Sequence, residues 1–409
     1  MHKPLRILMV VPGSFFTDYG AHVRIAEEIR ALQKLNHEIT VITYYLGRDL
    51  PDIEIIRTRP TPWRADYEVG SSLHRIAFDA FLGWIGLKTI LRRRFDIVHG
   101  HLHDGAFIGY FLSRLQHIPL VADFQGSMTS EMVDQKFLDP DGPLYRWVRL
   151  FEMRIDQLPD IIITSTNQTA ILLEQHFNCA SYRVQPLPDS VNMEFFRPDV
   201  LTADEIAARR AALGVPAGQP VVVYLGLLSD HQGIPRLLQA VRILKEQGVE
   251  ARFLIGGFPV PRYRQMADDL GVSDRVIFRG KIPREETPAH LALGDIGVAP
   301  KLSATEGNGK ILEYMAMELP TVAFESPQNR EYMGSLGVYA GRSGDPVALA
   351  DGIAGFLEDP QRRTELGRKL RERAARHFSW DRAGRHLMAV YRSVLQSKQS
   401  KQFKTHNQD

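Results

Sequence analysis

The sequence predicts an α/β protein made of two doubly wound parallel-sheet domains. Three observations carry this reading. Short apolar strand-like runs alternate with longer helical patterns in both halves of the chain, and a proline-bearing segment interrupts the alternation near its middle. A length of 409 residues, 44% of them hydrophobic, is enough for two ordinary cores.

The elements follow in order. The opening run LRILMVVP reads as a first strand, because it is too short for a signal-peptide core and no small-residue cleavage site follows it. A helix is predicted from His22 to Leu35, followed by the strands EITVITYY, FDIVHGH and LVADFQG. The region from His74 to Arg94 sets Arg75, Lys88, Arg92, Arg93 and Arg94 around Phe78, Phe81, Leu82, Trp84, Ile85 and Leu87. It reads either as a core-packing helix with a basic end or as a peripheral contact with an anionic membrane surface. Its apolar stretch, Ala77 to Leu87, is broken by Asp79 and falls short of the roughly 20 residues that span a bilayer.

The segment QPLPDSVNMEFFRPD holds three prolines and makes a natural hinge, which puts the domain boundary near Pro188. The second domain, 189–379, repeats the pattern in VVVYLG, RFLIGG, RVIFRG, DIGVAP and LPTVAFE. Pro360 to Gln396 is amphipathic and helical, anchored by Trp380 and Tyr391, with about 380–396 completing the first domain, 1–188, and the whole stretch packing across both lobes. The polar segment 397–409 is expected to be a disordered tail.

Composition excludes several classes. A net charge of +2 gives no field for gripping nucleic acid. The single cysteine, Cys179, cannot form an internal disulfide and fits a reducing compartment. A cytoplasmic protein is expected, in peripheral contact at most with the inner face of the cell membrane.

Ligands in open α/β sheets gather beyond the carboxyl ends of the strands. Glycine-bearing loops occupy that position at Gly13 to Gly20, Gly226 to Gly233, and Gly256 with Gly257. A fourth loop, KLSATEGNGKILEYMAMELP, sets Glu306, two glycines, Asn308 and Lys310 just before Glu313. Its small residues admit a ligand close to the backbone, Lys310 calls for an anion such as a phosphate, and Glu313 can accept from a ribose diol. In VHGHLHDG, the histidines His99, His101 and His103 share one face if the strand continues. Apart from Asp104 nothing completes a ligand set, and the Asp-x-Asp at Asp139 and Asp141 reads as a proline-flanked turn, so no metal is assigned.

Taken in order, these motifs resemble family 4 of the retaining glycosyltransferases, from Ile7 to about Val394. The resemblance is carried by TDYGAHVRIAEEIRALQKLNHEITVIT, DIVHGH, PLPDSVNMEFFRP, EGNGKILEYMAMELPTVAF and FSWDRAGRHLMAVYRSV. It implies the GT-B architecture: two Rossmann-like domains facing a cleft, with a C-terminal helix crossing back to the first. It implies metal-independent sugar transfer from a nucleotide-diphosphate sugar with retention, with no cofactor beyond that co-substrate. By position, His101 would contact the transferred sugar and Glu306 with the backbone of Gly307, Asn308 and Gly309 would hold its hydroxyls. Gly20, Gly226, Lys301, Lys310, Ile311 and Glu313 would complete the donor set, with Glu313 on the ribose. His103, Asp123 and Gln125 fall on the acceptor side, where ADFQGSMTSEMVDQKF fits a saccharide, a lipid-linked saccharide or a small molecule equally.

Two departures from the family pattern stand out. Leu227 and Gln232 occupy positions where the family places Arg and Lys against the diphosphate, and Lys310 with Lys301 is expected to supply that charge instead. Glu306 and Glu313 are seven positions apart rather than the family's eight, so either the loop is one residue shorter or backbone N–H groups alone hold the sugar. A nucleotide-sugar 2-epimerase and a non-catalytic binding protein of the same fold are the competing readings.

Overall fold

The structure, a computed structural model, describes residues 3–17, 20–60, 74–134, 137–302, 307–341 and 344–406. They divide into two compact units, 1–188 with 380–409 and 189–379. In the first unit the elements run β1 (Arg6–Val11), α1 (Gly20–Lys34), β2 (Glu38–Thr43), β3 (Glu54–Arg57), α2 (His74–Arg92), β4 (Ile97–His101) and α3 (Leu102–Gln116). They continue with β5 (Leu120–Phe124), α4 (Met128–Asp134), α5 (Tyr145–Ile155), β6 (Ile161–Thr164), α6 (Asn167–His176) and β7 (Val184–Pro186). The sheet is wholly parallel in the order β3-β2-β1-β4-β5-β6-β7, so the direction of winding reverses between β1 and β4. Strands such as ILMVV in β1 are apolar at every position because helices cover both faces of a parallel sheet.

The second unit contains α7 (Ala203–Ala212), β8 (Val221–Leu225), α8 (Ile234–Glu246), β9 (Arg252–Gly256), α9 (Pro261–Asp269), β10 (Val276–Gly280) and α10 (Thr287–Leu291). After these come β11 (Ile296–Ala299), α11 (Lys310–Ala316), β12 (Thr321–Ala323), α12 (Pro327–Met333), β13 (Val338–Tyr339), α13 (Pro346–Glu358) and α14 (Pro360–His377). Its parallel sheet runs β10-β9-β8-β11-β12-β13 and reverses between β8 and β11. Among the described residues no helix is long and apolar enough to cross a membrane.

One expectation for the C-terminal stretch needs correction. The stretch from Pro360 breaks at Phe378: α14 stays with the second unit, and α15 (Trp380–His406) belongs to the first. The expected tail is helical as far as His406, since nothing in its sequence stops the turn begun by α15. The helix docks by burying Trp380, Leu387 and Tyr391 with Ile7, Met9 and Ile29. Contact with α1 is close enough that a Cβ added at Gly384 would lie 2.8 Å from the Ala31 Cβ.

The three histidines do not share a face. β4 ends at His101, and Leu102 takes a positive φ of 58° that turns the chain into α3, which carries His103 away from its neighbours. His103 sits instead among buried acids of α5, with Nε2 3.4 Å from Glu152 and 3.5 Å from Asp156. Thr129 donates to Glu152. Burial pushes the Asp156 carboxyl up to about 7; His103 opposes this and Glu152 adds to it. The segment at Asp139 and Asp141 is a turn, closed by the Gly142 N–H donating to the Asp139 carbonyl at 3.0 Å.

Overpacking of the α1–α15 contact by Gly384→Leu is expected to cost about 1–3 kcal/mol and lower the urea midpoint accordingly; an unchanged midpoint would show the contact to be slack. Asp156 gives a second prediction, of defined sign. The folded chain holds its proton more tightly than the unfolded one, so this contribution to stability is full below about pH 4 and lost as pH rises to about 7. Asp156→Asn should remove that dependence, and the wild-type urea midpoint should drop relative to the variant across this window; a constant difference would mean that Asp156 ionises normally.

Candidate functional site

In the second unit, the carboxyl ends of β8 and β11 flank the point where winding reverses. Gly226 follows β8 with φ of 151°, and its N–H donates to the Gly256 carbonyl at 3.0 Å, which draws two glycine loops together. A Cβ at Gly226 would lie 3.3 Å from the Lys310 ammonium nitrogen. That nitrogen donates to Gln232 Oε1 at 2.5 Å and to the Tyr224 hydroxyl at 3.2 Å, and lies 4.6 Å from the Tyr224 ring centroid. Burial holds the Tyr224 phenol well above its ordinary range, so it stays neutral and itself donates to the Leu227 carbonyl at 2.8 Å. The structure thus brings Lys310 to Gln232, one of the two positions from which a family cation is missing.

The loop before α11 is held from three sides. Lys301 is buried and donates to the Gly307 carbonyl at 2.8 Å, so it ties the loop in place. Asn308 donates to the Ala299 carbonyl at 3.4 Å and to Asn329 at 3.2 Å, while its own Oδ1 is buried with no partner among the described residues. Gly307 lies against Asp189, which accepts from the Tyr332 hydroxyl at 3.1 Å; a side chain there would run into both. The N–H groups of Gly307, Asn308 and Gly309 donate to no acceptor among the described residues. Ile311 is different: its side chain is wholly buried and its N–H donates to the Asn308 carbonyl, so it supports the loop from within the core. Glu313 forms an ion pair with Arg284, whose guanidinium lies 4.6 Å from the Phe196 ring centroid. Glu306 lies outside the described residues.

In the first unit, a buried polar cluster occupies the corresponding reversal, at the ends of β4 and β5. His101 and Asp123 are register partners, both wholly buried. Asp123 accepts from His101 Nδ1 at 3.3 Å, from Gln125 at 2.6 Å, and from Arg24 at 3.1 and 3.2 Å. Burial alone would raise this carboxyl, but the Arg24 guanidinium, with His101, more than offsets it and holds Asp123 well below the usual carboxylate range. With Nδ1 as the donor, His101 keeps a lone pair on Nε2, which is buried and has no partner among the described residues.

His99 stacks on His101 with ring centroids 4.3 Å apart and pairs with the Tyr391 hydroxyl at 2.7 Å. Burial, reinforced by His101, holds His99 well below its ordinary pKa. His22 joins this group from α1 and pairs with the Thr17 hydroxyl at 2.6 Å. Burial, opposed by hydrogen bonding at Thr17 and assisted by His101, pushes His22 down to about 4. Glu28, His99 and His101 bring ligand atoms within 4.8 Å of one another, a spacing that a metal ion could use. Arg24, 3.1 Å from Glu28 and paired with Asp123, already brings positive charge there. Gly20 is the first residue of α1, and His103 belongs to the α5 acids.

Sequence reasoning missed His22, Arg24, Asp189 and Arg284. His22 and Arg24 fall within the quoted glycine-loop motif and were within reach. Asp189 lies in the quoted segment PLPDSVNMEFFRP, which marked a hinge but not a partner for Gly307, and Arg284, 29 positions from Glu313, left no local signal.

Comparison with known proteins agrees with this arrangement. A model described as Glycosyltransferase Family 4 matches residues 19–195, and one described as Glycosyl transferases group 1 matches 219–359. The chain is 27% identical over 337 residues to a D-inositol 3-phosphate glycosyltransferase of Corynebacterium glutamicum, with 77% of each chain covered. Its fold matches a sucrose-phosphate synthase of Thermosynechococcus elongatus with a TM-score of 0.81 at 19% identity, covering 96% of this chain and 100% of the other. It also matches an Anabaena protein solved with UDP and glucose, with a TM-score of 0.75 at 16% identity, covering 95% and 100%. Two wholly parallel Rossmann-like sheets, glycine loops at both winding reversals and family matches across both units lead to one assignment: the chain belongs to family 4, group 1, of the glycosyltransferases.

Proposed function

We propose that this glycosyltransferase moves a sugar from a nucleotide-diphosphate sugar to a saccharide, lipid-linked or small-molecule acceptor, with retention of anomeric configuration and without a metal. The observation that carries the donor reading is the loop before α11, whose N–H groups at 307–309 have no acceptor among the described residues, set beside Gly226 with the Lys310 ammonium at its edge, donating to Tyr224 and Gln232. A diphosphate fits that arrangement, because it accepts charge-assisted and backbone hydrogen bonds at once. The Anabaena neighbour, solved with UDP and glucose, makes UDP the first nucleotide to try.

In this reading Lys310 takes the place of the family's missing cations and stabilises the charge that develops on the departing diphosphate. Glu313, oriented by Arg284, accepts from the ribose hydroxyls. The N–H groups at 307–309, which have no acceptor among the described residues, hold the sugar together with Asn308. His101 offers Nε2 as an acceptor for a sugar hydroxyl, with its tautomer fixed by Asp123. The departing diphosphate takes the acceptor's proton, so no protein base is required. Arg24 supplies the positive charge among Glu28, His99 and His101 that a metal would otherwise bring.

Calorimetric titration with UDP, GDP, ADP and their sugar conjugates tests the donor site. Selective binding is expected, weakened about 10- to 100-fold in Lys310→Ala, the value of one charge-assisted hydrogen bond. Wild-type affinity in that variant would remove Lys310 from the site, and no binding of any nucleotide by the native chain would favour a non-catalytic role. Prolonged dialysis against EDTA should leave turnover unchanged; loss of activity, restored by a divalent cation, would instead assign a metal to Glu28, His99 and His101.

A further inference from the structure

We propose that the face of the first unit formed by α3 and α5, extended by α2, docks onto an anionic lipid bilayer. The helices α2 and α5 both pack against α3. α2 and α3 turn apolar stripes inward and α5 buries Ile155 and Glu152, yet α3 also exposes Phe107, Phe111 and Leu115 at a spacing of four, along one outward line. α5 exposes Trp147, Leu150 and Phe151, and Trp147 is 70% exposed. The two stripes are continuous, because the Phe107 ring lies 5.2 Å from Phe111 and 6.0 Å from Phe151. Trp84 on α2, 57% exposed, carries the Lys88 ammonium 4.9 Å from its ring centroid. Elsewhere on the described surface large exposed apolar residues are scattered: Leu35, Phe137, Ile171, Tyr182 and Val347.

Charge decides the occupant. Every exposed charged side chain described on these three helices is basic: Lys88, Arg92, Arg114, Arg146 and Arg154. Of their three acids, Glu152 is buried and Asp79 accepts from the Tyr44 hydroxyl at 2.5 Å, while half-buried Asp104 sits in the first turn of α3, more than one turn from Phe111 and Leu115. A chain of net charge +2 thus concentrates positive charge around its largest aromatic exposure. A second copy docked through the same face would set like charges against each other, since a two-fold interface pairs a patch with itself. An anionic interface accepts both parts: tryptophan and phenylalanine enter the headgroup boundary while arginines meet the phosphates. A lipid-carried acceptor is the class such a surface would bring within reach, although docking stands independently of the donor reading.

Co-sedimentation of the full chain with phosphatidylcholine vesicles, with and without phosphatidylglycerol, tests the proposal. The protein is expected to pellet with the anionic vesicles only, less at high salt. The double variant F111E/W147E should reduce partitioning about tenfold or more, as should R146E/R154E. Both pairs are exposed, so unchanged thermal melts and unchanged UDP titrations would show that the variants fold. The proposal is overturned if the wild type stays in the supernatant with anionic vesicles at low salt, or if F111E/W147E binds as tightly as the wild type. It is equally overturned if light scattering shows a dimer that F111E/W147E dissociates.

Discussion

The buried pairing of Arg24 with Asp123 is the constraint on which the first unit's chemistry depends. An arginine 5% exposed and a carboxylate with no exposure can share a core only if each satisfies the other and the remaining donors find acceptors. Arg24 meets this condition by reaching Asp123, Glu28 and the Leu187 carbonyl together, which ties α1 to β5 and to the end of β7. Asp123 then has a fixed charge and a fixed position, and parallel register sets it beside His101. The tautomer of His101 follows from this ion pair, as does the availability of its Nε2.

The second unit solves a different electrostatic problem. On the proposed donor reading, a diphosphate at the β8 loop would meet no cation at Leu227 or Gln232. Lys310 reaches across because Gly226 has no side chain to block it and because Gln232 and Tyr224 offer oxygens without competing charge. On the proposed donor reading, the glutamine holds the relocated cation by a hydrogen bond at the position from which the family's cation is missing.

Much of the fold was legible in the sequence. Fully apolar runs such as ILMVV and VVVYL can only be central parallel strands, and the glycines after them fix where the sheets open. The candidate loop before α11 could be singled out because Asn308, Lys310 and Glu313 are close in sequence. What could not be read depended on a single backbone angle or on distant partners. Alternation predicted one face for His99, His101 and His103, but the positive φ at Leu102 ends the alternation, and leucine carries no signal for that conformation. Arg284 meets Glu313 from 29 positions away, unmarked by any local pattern, and Asp189 meets Gly307 from a segment whose prolines marked only a hinge. Ile311 sits within a functional motif, yet helical phase turns it into the core.

The two faces of the first sheet show which apolar residues folding requires. On one face, α15 returns from the far end of the sequence to bury Trp380, Leu387 and Tyr391, so that side is completed by its own chain. On the other, the inward residues of α2 and α3, Phe78, Leu82, Ile108 and Leu112, already fill the space against β1 and β4. The outward phenylalanines and tryptophans lie outside the buried core clusters and pack chiefly on one another. Exposed aromatic surface carries a cost in solubility, and arginines placed around it do not reduce its apolar area. Neither packing nor solubility explains why two adjacent helices carry aromatic stripes on their outer sides. Selection for contact with something apolar and negatively charged explains both the stripes and their basic borders.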